Sequence, residues 1–238
     1  MTRPRLLFVH GWGADRRSWG DIDELVAPWA DVLVPDLAGH GEAAAVGDLT
    51  IDRLVDDLAA VAAGGGPVVA VGHSMGGQVV ARLAVRFPEL VRAICVIDPA
   101  YGADDAEVAR CPDVLAELRR RGTEAGLEFV DQALAGNALH EVVRAQMART
   151  PGPVLAGLYE SMYLAPGSIG ARAATSAFLP KLTKPCLSLY STEYAADFAR
   201  TMNWPHGSAI EVWPGATHYL HQQYPDRFVE LLMEWLPS

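Results

Sequence analysis

Ser74 lies in the run Gly72-His73-Ser74-Met75-Gly76-Gly77, directly after an apolar stretch at 67–71 and directly before a helical one. A G-x-S-x-G pattern between a strand and a helix predicts a sharp turn that presents the serine as a nucleophile. So tight a turn forces an unfavourable backbone conformation on the serine, and side chains at 72 and 76 would clash, which is why both are Gly. The helix that follows brings its positive end to the serine oxygen, and Gly77 lets that helix pack closely on the strand. A hydroxyl is a weak nucleophile and needs a base to take its proton. The chain offers seven histidines. His218, in Pro214-Gly215-Ala216-Thr217-His218, follows the last apolar run. His73 is inside the serine motif, His40 lies in a turn, and His140 and His206 have no motif around them. His221 stands three residues after His218 and raises a metal pair. No acidic or thiolate ligand with suitable spacing accompanies it, so no metal site is expected.

These residues need elements to position them. The runs at 6–9, 31–34, 67–71, 93–97, 186–190 and 209–213 are near strand length and almost wholly apolar, as suits strands buried on both faces of a parallel sheet. Between them, apolar residues at 51, 54, 55, 58 and 61 predict a helix over 51–62 with Thr50 as its N-cap. Helices are also expected over 78–87 and over 226–236, the latter opened by Pro225. The alternation predicts an α/β fold with right-handed crossovers. It breaks at 102–180, where Ala, Leu, Arg and Glu dominate and no strand-like run survives. That block reads as a helical cap inserted over one end of a sheet built from 1–101 and 181–238. Arg119-Arg120-Arg121 inside it reads as a solvated helix end rather than a binding patch. Gly64-Gly65-Gly66 reads as a turn, not a phosphate loop, because no Lys follows.

At these residues the sequence resembles the alpha/beta-hydrolase superfamily, over nearly the whole chain, with the 102–180 block matched only in character. His10-Gly11-Trp12-Gly13 after the first strand is similar to the H-G-x-G oxyanion loop of that family. Asp36-Leu37-Ala38-Gly39-His40-Gly41 is similar to its D-x-R-G-x-G turn, with Ala38 in place of the arginine. The first strand begins near residue 5, so the usual N-terminal hairpin is not expected. The resemblance implies His218 as the base and the backbone amides of Trp12 and Met75 as the oxyanion hole. It also implies an acid, usually after the penultimate strand, where Ser191-Thr192-Glu193-Tyr194-Ala195-Ala196-Asp197 lacks the expected G-x-x-D. Glu193 is close enough to that strand end to serve, while Asp197 falls into the next helix. Asp98, closing the 93–97 run, occupies the position used by some haloalkane dehalogenases, the fungal zearalenone lactonase and the cofactor-independent quinaldine dioxygenases. An aspartate ending an apolar strand and held by Pro99 is poorly placed for solvent and needs a partner. His218 would supply one, and Asp98 would then fix its tautomer and stabilise the imidazolium. Asp98 is preferred, with Glu193 the alternative.

The chemistry expected is acyl transfer from an ester or lactone through an acyl-enzyme, with no metal or organic cofactor. Met147, Tyr159, Met162, Tyr163, Leu164 and Phe178 are candidate pocket walls, and with Trp12 and Trp19 they suggest an apolar small-molecule substrate. A dehalogenase is disfavoured because that chemistry needs a carboxylate where Ser74 stands. A cofactor-independent dioxygenase and a non-enzymatic ligand receptor on the same fold remain as other readings.

Composition bounds the rest. The 238 residues carry 19 Lys and Arg against 29 Asp and Glu, a net charge of −10, and half are hydrophobic, ample for a packed core. The acidic balance argues against nucleic acid or an anionic membrane as partner. Cys95, Cys111 and Cys186 are odd in number, far apart and without C-x-x-C, as in a reduced intracellular protein. The apolar run at 6–9 is too short for a signal peptide, and none nears the roughly 18 residues of a membrane span. A cytoplasmic location is expected. Oligomeric state is not legible.

Overall fold

The computed structural model describes residues 3–45 and 47–236. Six parallel strands form one sheet: β1 (Arg5–Val9), β2 (Asp31–Leu33), β3 (Val68–His73), β4 (Val91–Ile97), β5 (Cys186–Tyr190) and β6 (Ala209–Val212), in the order β2-β1-β3-β4-β5-β6. Every residue of β3 and β5 is buried, whereas the edge strands β2 and β6 are not. Nearly continuous apolar runs are what a sheet covered on both faces demands.

The pleat splits β1 between two cores. Leu7 and Val9 join the cluster built with α2 (Ile51–Ala62) and α3 (Met75–Arg86). Leu6 and Phe8 join that of α1 (Gly20–Val26) and α11 (Pro225–Trp235) on the other face. Thr50 caps α2, its hydroxyl accepting the Arg53 amide at 3.2 Å. The helix after β3 begins at Met75, three residues before the sequence expectation. Gly76 and Gly77 disfavour helix by propensity, but the turn at Ser74 leaves the chain no room for anything else.

Between β4 and β5 run α4 (Asp105–Arg121), α5 (Thr123–Ala133), α6 (His140–Met147), α7 (Gly152–Tyr163) and α8 (Arg172–Phe178). α4 to α7 share a core of Leu115, Leu118, Val130, Val143, Met147 and Leu155, into which Tyr219 also packs. The Trp12 indole N–H donates to the Leu155 carbonyl at 2.9 Å, tying this layer to the loop after β1. Arg119, Arg120 and Arg121 end α4 in ion pairs with Glu160, Glu117 and Glu128.

The strand order reverses between β1 and β3, and in open parallel sheets a crevice opens beyond the strands' carboxyl ends at such a point. The registers Val9 to Gly72, His73 to Ile97 and Ile97 to Leu189 bring the residues following β1, β3, β4 and β5 to one edge. The short α9 (Glu193–Arg200) and α10 (Leu220–Gln223) complete the chain. No helix among the described residues is long and apolar enough to cross a membrane.

Candidate active site

Ser74 sits at φ 52°, ψ −114° between β3 and α3. Among the described residues it shares a positive φ with one other non-glycine residue, Asp98 at φ 39°. The turn is over-determined by its surroundings. The Ser74 amide donates to the Ile97 carbonyl at 2.9 Å, and its own carbonyl accepts the Gly77 and Ala100 amides at 2.9 and 3.0 Å. A Cβ on Gly72 would stand 2.2 Å from the Gly76 oxygen, and one on Gly76 would stand 2.2 Å from the Val9 oxygen. The serine side chain makes no capping bond to α3 and faces two cavities.

Asp98 is fixed by strand pairing, its amide donating to the Leu189 carbonyl at 2.8 Å. Oδ1 accepts the Ser191 amide at 2.8 Å, and Oδ2 accepts the Ser191 hydroxyl at 2.5 Å. The same Oδ2 lies 3.3 Å from Nδ1 of His218, so the ring's Nδ1–H is directed at the carboxylate and Nε2 is left as its basic nitrogen. His218 lines both cavities with Ser74. Glu193 opens α9 at the surface and pairs with Arg200 at 2.7 Å, as does Asp197. Asp98, not Glu193, is thus the acid beside His218. Ser191, which no motif marks, is what holds that acid; its place straight after β5 was the available signal.

His73 braces this arrangement. It is 2% exposed, and its Nε2 donates to the His218 carbonyl at 2.9 Å, with the two rings 4.7 Å apart. Burial, then the neighbouring His221 and His218, push its pKa well down, so it makes this bond as a neutral imidazole protonated on Nε2. The loop after β1 is fixed in the same way. His10 Nε2 accepts the Leu37 amide at 3.0 Å and His40 Nε2 accepts the Gly13 amide at 3.3 Å. Accepting requires the neutral imidazole; burial lowers both, His40 to about 3. Gly11 lets this loop touch the serine turn, since a Cβ there would lie 2.8 Å from His73 Nδ1 and 3.3 Å from Ser74 Cβ. The Trp12 amide is therefore carried beside the turn. The Met75 amide, first of α3, is one of the donors a helix leaves without an intrahelical acceptor.

The larger cavity, about 380 Å³, runs from Ser74 between Trp12, Phe129, Tyr159, Met162 and Tyr219. The smaller, about 270 Å³, runs past Asp98 to Tyr101, Arg172, Tyr190 and Tyr194. Tyr159, Met162 and Tyr163 are walls, as the sequence suggested. Met147 instead fills the core of the inserted helices, Leu164 packs against that core, and Phe178 lies under the Arg82 guanidinium. Trp19 is fully buried on the far face of the sheet, against Phe8 and His221. Phe129 and Arg172 were missed, since no local pattern distinguishes a helix residue that faces a cavity, and Tyr219 was missed although it stands in the turn directly after His218. His221 is likewise fully buried, and burial holds it near 3. Among the described residues no group of three or more His, Cys, Asp or Glu could hold a metal ion.

Residues 6–231 match the model of the Alpha/beta hydrolase family, and the chain belongs to that family. Lipase LipV of Mycobacterium tuberculosis is 38% identical over 113 residues, 47% of this chain and 43% of that protein, so the match spans less than half of LipV. A pimeloyl-acyl-carrier-protein methyl ester esterase of Yersinia enterocolitica is 26% identical over 97% of this chain and 92% of its own. The malate-bound thermophilic esterase of Thermogutta terrifontis superimposes with a TM-score of 0.82 at 26% identity, covering 98% of this chain and 89% of that one.

Proposed function

We propose that the protein is a serine hydrolase that cleaves an ester or lactone of an apolar small molecule through an acyl-enzyme. Ser74 Oγ attacks the carbonyl carbon as its proton passes to Nε2 of His218, while Asp98 holds the opposite ring edge and stabilises the imidazolium. The amides of Trp12 and Met75 donate to the oxyanion; such preorganised donors typically contribute about 3–4 kcal/mol each. His218 then gives the proton to the departing alkoxide. Water repeats the sequence at the acyl carbon, freeing the acid and restoring Ser74. The inserted helices wall the larger cavity chiefly with apolar groups, beside Asp113, Glu117, Gln132 and the Arg121–Glu128 ion pair, which suits an apolar arm.

The observation that carries this reading is the strained Ser74 turn, which opens with His218 onto both cavities. The lipase and esterase relatives support an ester as the bond broken. A fluorophosphonate probe tests it: labelling of the wild-type protein and none of Ser74→Ala is expected, alongside hydrolysis of chromogenic esters by the former only. Oxygen uptake with turnover surviving in Ser74→Ala would favour the oxygenase reading, and neither labelling nor turnover would favour a receptor.

A further inference from the structure

The smaller cavity carries a charge for which the acyl-transfer steps have no use. Arg172 is the one Lys or Arg side chain among its lining residues. Its Nε donates to the Gly102 carbonyl at 3.0 Å, and its guanidinium carbon lies 4.8 Å from the Tyr194 ring centroid and 5.2 Å from that of Phe198. A planar fork stacked on aromatic faces is held in one orientation before any ligand arrives.

Nearby acids are engaged elsewhere. Asp98 is bound to Ser191 and faces His218. Glu107 accepts the Asp104 amide at 2.8 Å, and Asp104 in turn takes the Glu107 amide and the Tyr194 hydroxyl. Among the described residues Arg172 forms no ion pair within 4.0 Å. A half-buried guanidinium whose acidic neighbour Asp104 is already bound to the Tyr194 hydroxyl and the Glu107 amide, in a cavity that begins at a nucleophile, has the geometry to take a planar anion through two parallel N–H donors.

We propose that the smaller cavity is a carboxylate subsite in which Arg172 binds a carboxylate on the short arm of the ester, while the apolar arm fills the larger cavity. The substrate class is then either a half ester of a short dicarboxylic acid or the fatty ester of a short hydroxy acid. This rests on the hydrolase reading above.

Two matched pairs test it, followed by proton release: monohexyl succinate against hexyl butyrate, and carboxymethyl hexanoate against ethyl hexanoate. The pair showing the preference says which arm carries the charge. A charge-assisted contact predicts a kcat/KM about 10- to 100-fold above that of the neutral twin. In Arg172→Met that ratio falls to about one, through KM, and Arg172→Lys retains part of it because charge survives without the fork. No preference in either wild-type pair, or equal slowing of both twins by Arg172→Met, overturns the subsite. Calorimetry with the four esters on Ser74→Ala, with and without Arg172→Met, reads binding without chemistry. Arg172-dependent binding without wild-type turnover sinks the hydrolase reading and keeps the subsite; turnover without carboxylate preference does the reverse.

Discussion

Two residues of the site hold backbone conformations that L-residues avoid, Ser74 at φ 52° and Asp98 at φ 39°. Strain of this kind costs on the order of 1–3 kcal/mol per residue and persists only where neighbours impose it. At Asp98 the imposing neighbours are the Leu189 carbonyl and both donors of Ser191. An asparagine would keep the size and much of this scaffold, but its amide cannot offer His218 Nδ1–H a carboxylate or stabilise the imidazolium. Asp98→Asn is therefore expected to lower kcat by roughly 10³–10⁴-fold with little change in melting temperature, as loss of the orienting acid does in other triads. Glu193→Gln removes only a surface pair with Arg200, and exposed pairs contribute about 1 kcal/mol or less to stability. Its kcat should match wild type. Steady-state ester hydrolysis on both variants decides the matter, and a silent Asp98→Asn beside a dead Glu193→Gln would reverse the assignment.

At the scale of elements, what proved legible was whatever depends on local periodicity. The apolar runs gave strands because a doubly covered sheet needs no alternation, and the G-x-S-x-G turn was readable because steric exclusion acts over five residues. That exclusion can be measured. In Gly76→Ala the new Cβ meets backbone at Val9 and His10, at 2.2 and 2.7 Å. Strand and helix must part, so a loss of at least about 3 kcal/mol is expected by chemical denaturation. Gly20→Ala is the contrast. It sits at helical φ −46°, ψ −58°, at the start of α1, with nothing within 4 Å of the added carbon. A gain of up to about 1 kcal/mol is expected there. Equal behaviour of the two variants would mean that close approach at the turn is not what requires glycine. What stayed illegible depends on packing between elements remote in sequence. Trp19 follows the oxyanion-type loop closely in sequence yet lies beneath the sheet, and Phe129 and Arg172 face the cavities only because α5 and α8 dock with one particular side inward.

For the molecule as a whole, four buried histidines couple the integrity of the site edge to pH. His10, His40, His73 and His221 are each 2% exposed or less, and burial is the leading cause that lowers every one of them, with His40 and His221 at about 3. In the unfolded chain each titrates near its ordinary value of about 6.5. Below that pH the unfolded state binds protons that the folded state refuses, so stability falls as pH falls, over a window from about 6.5 down to the folded values. A group this strongly depressed removes about 1.4 kcal/mol per pH unit inside the window, or about 2 kcal/mol by pH 5. His40 and His221, both at about 3, together remove about 4 kcal/mol, and His10 and His73 act in the same direction, against an ordinary domain's total stability of about 5–15 kcal/mol. The net charge of −10 works the other way, since acidification first relieves self-repulsion, but exposed charges are screened by salt and the histidines are not. Urea unfolding at fixed 0.15 M salt should therefore give midpoints that are level from pH 8 to 7 and drop steeply from pH 6 to 5. His40→Asn would lessen that drop by about 2 kcal/mol at pH 5 if its amide takes over the Gly13 contact, because that proton trap is gone. A midpoint constant from pH 7 to 5 would show that these rings are reached by protons in the folded protein, and that neutral imidazoles are not what fixes the loop beside Ser74.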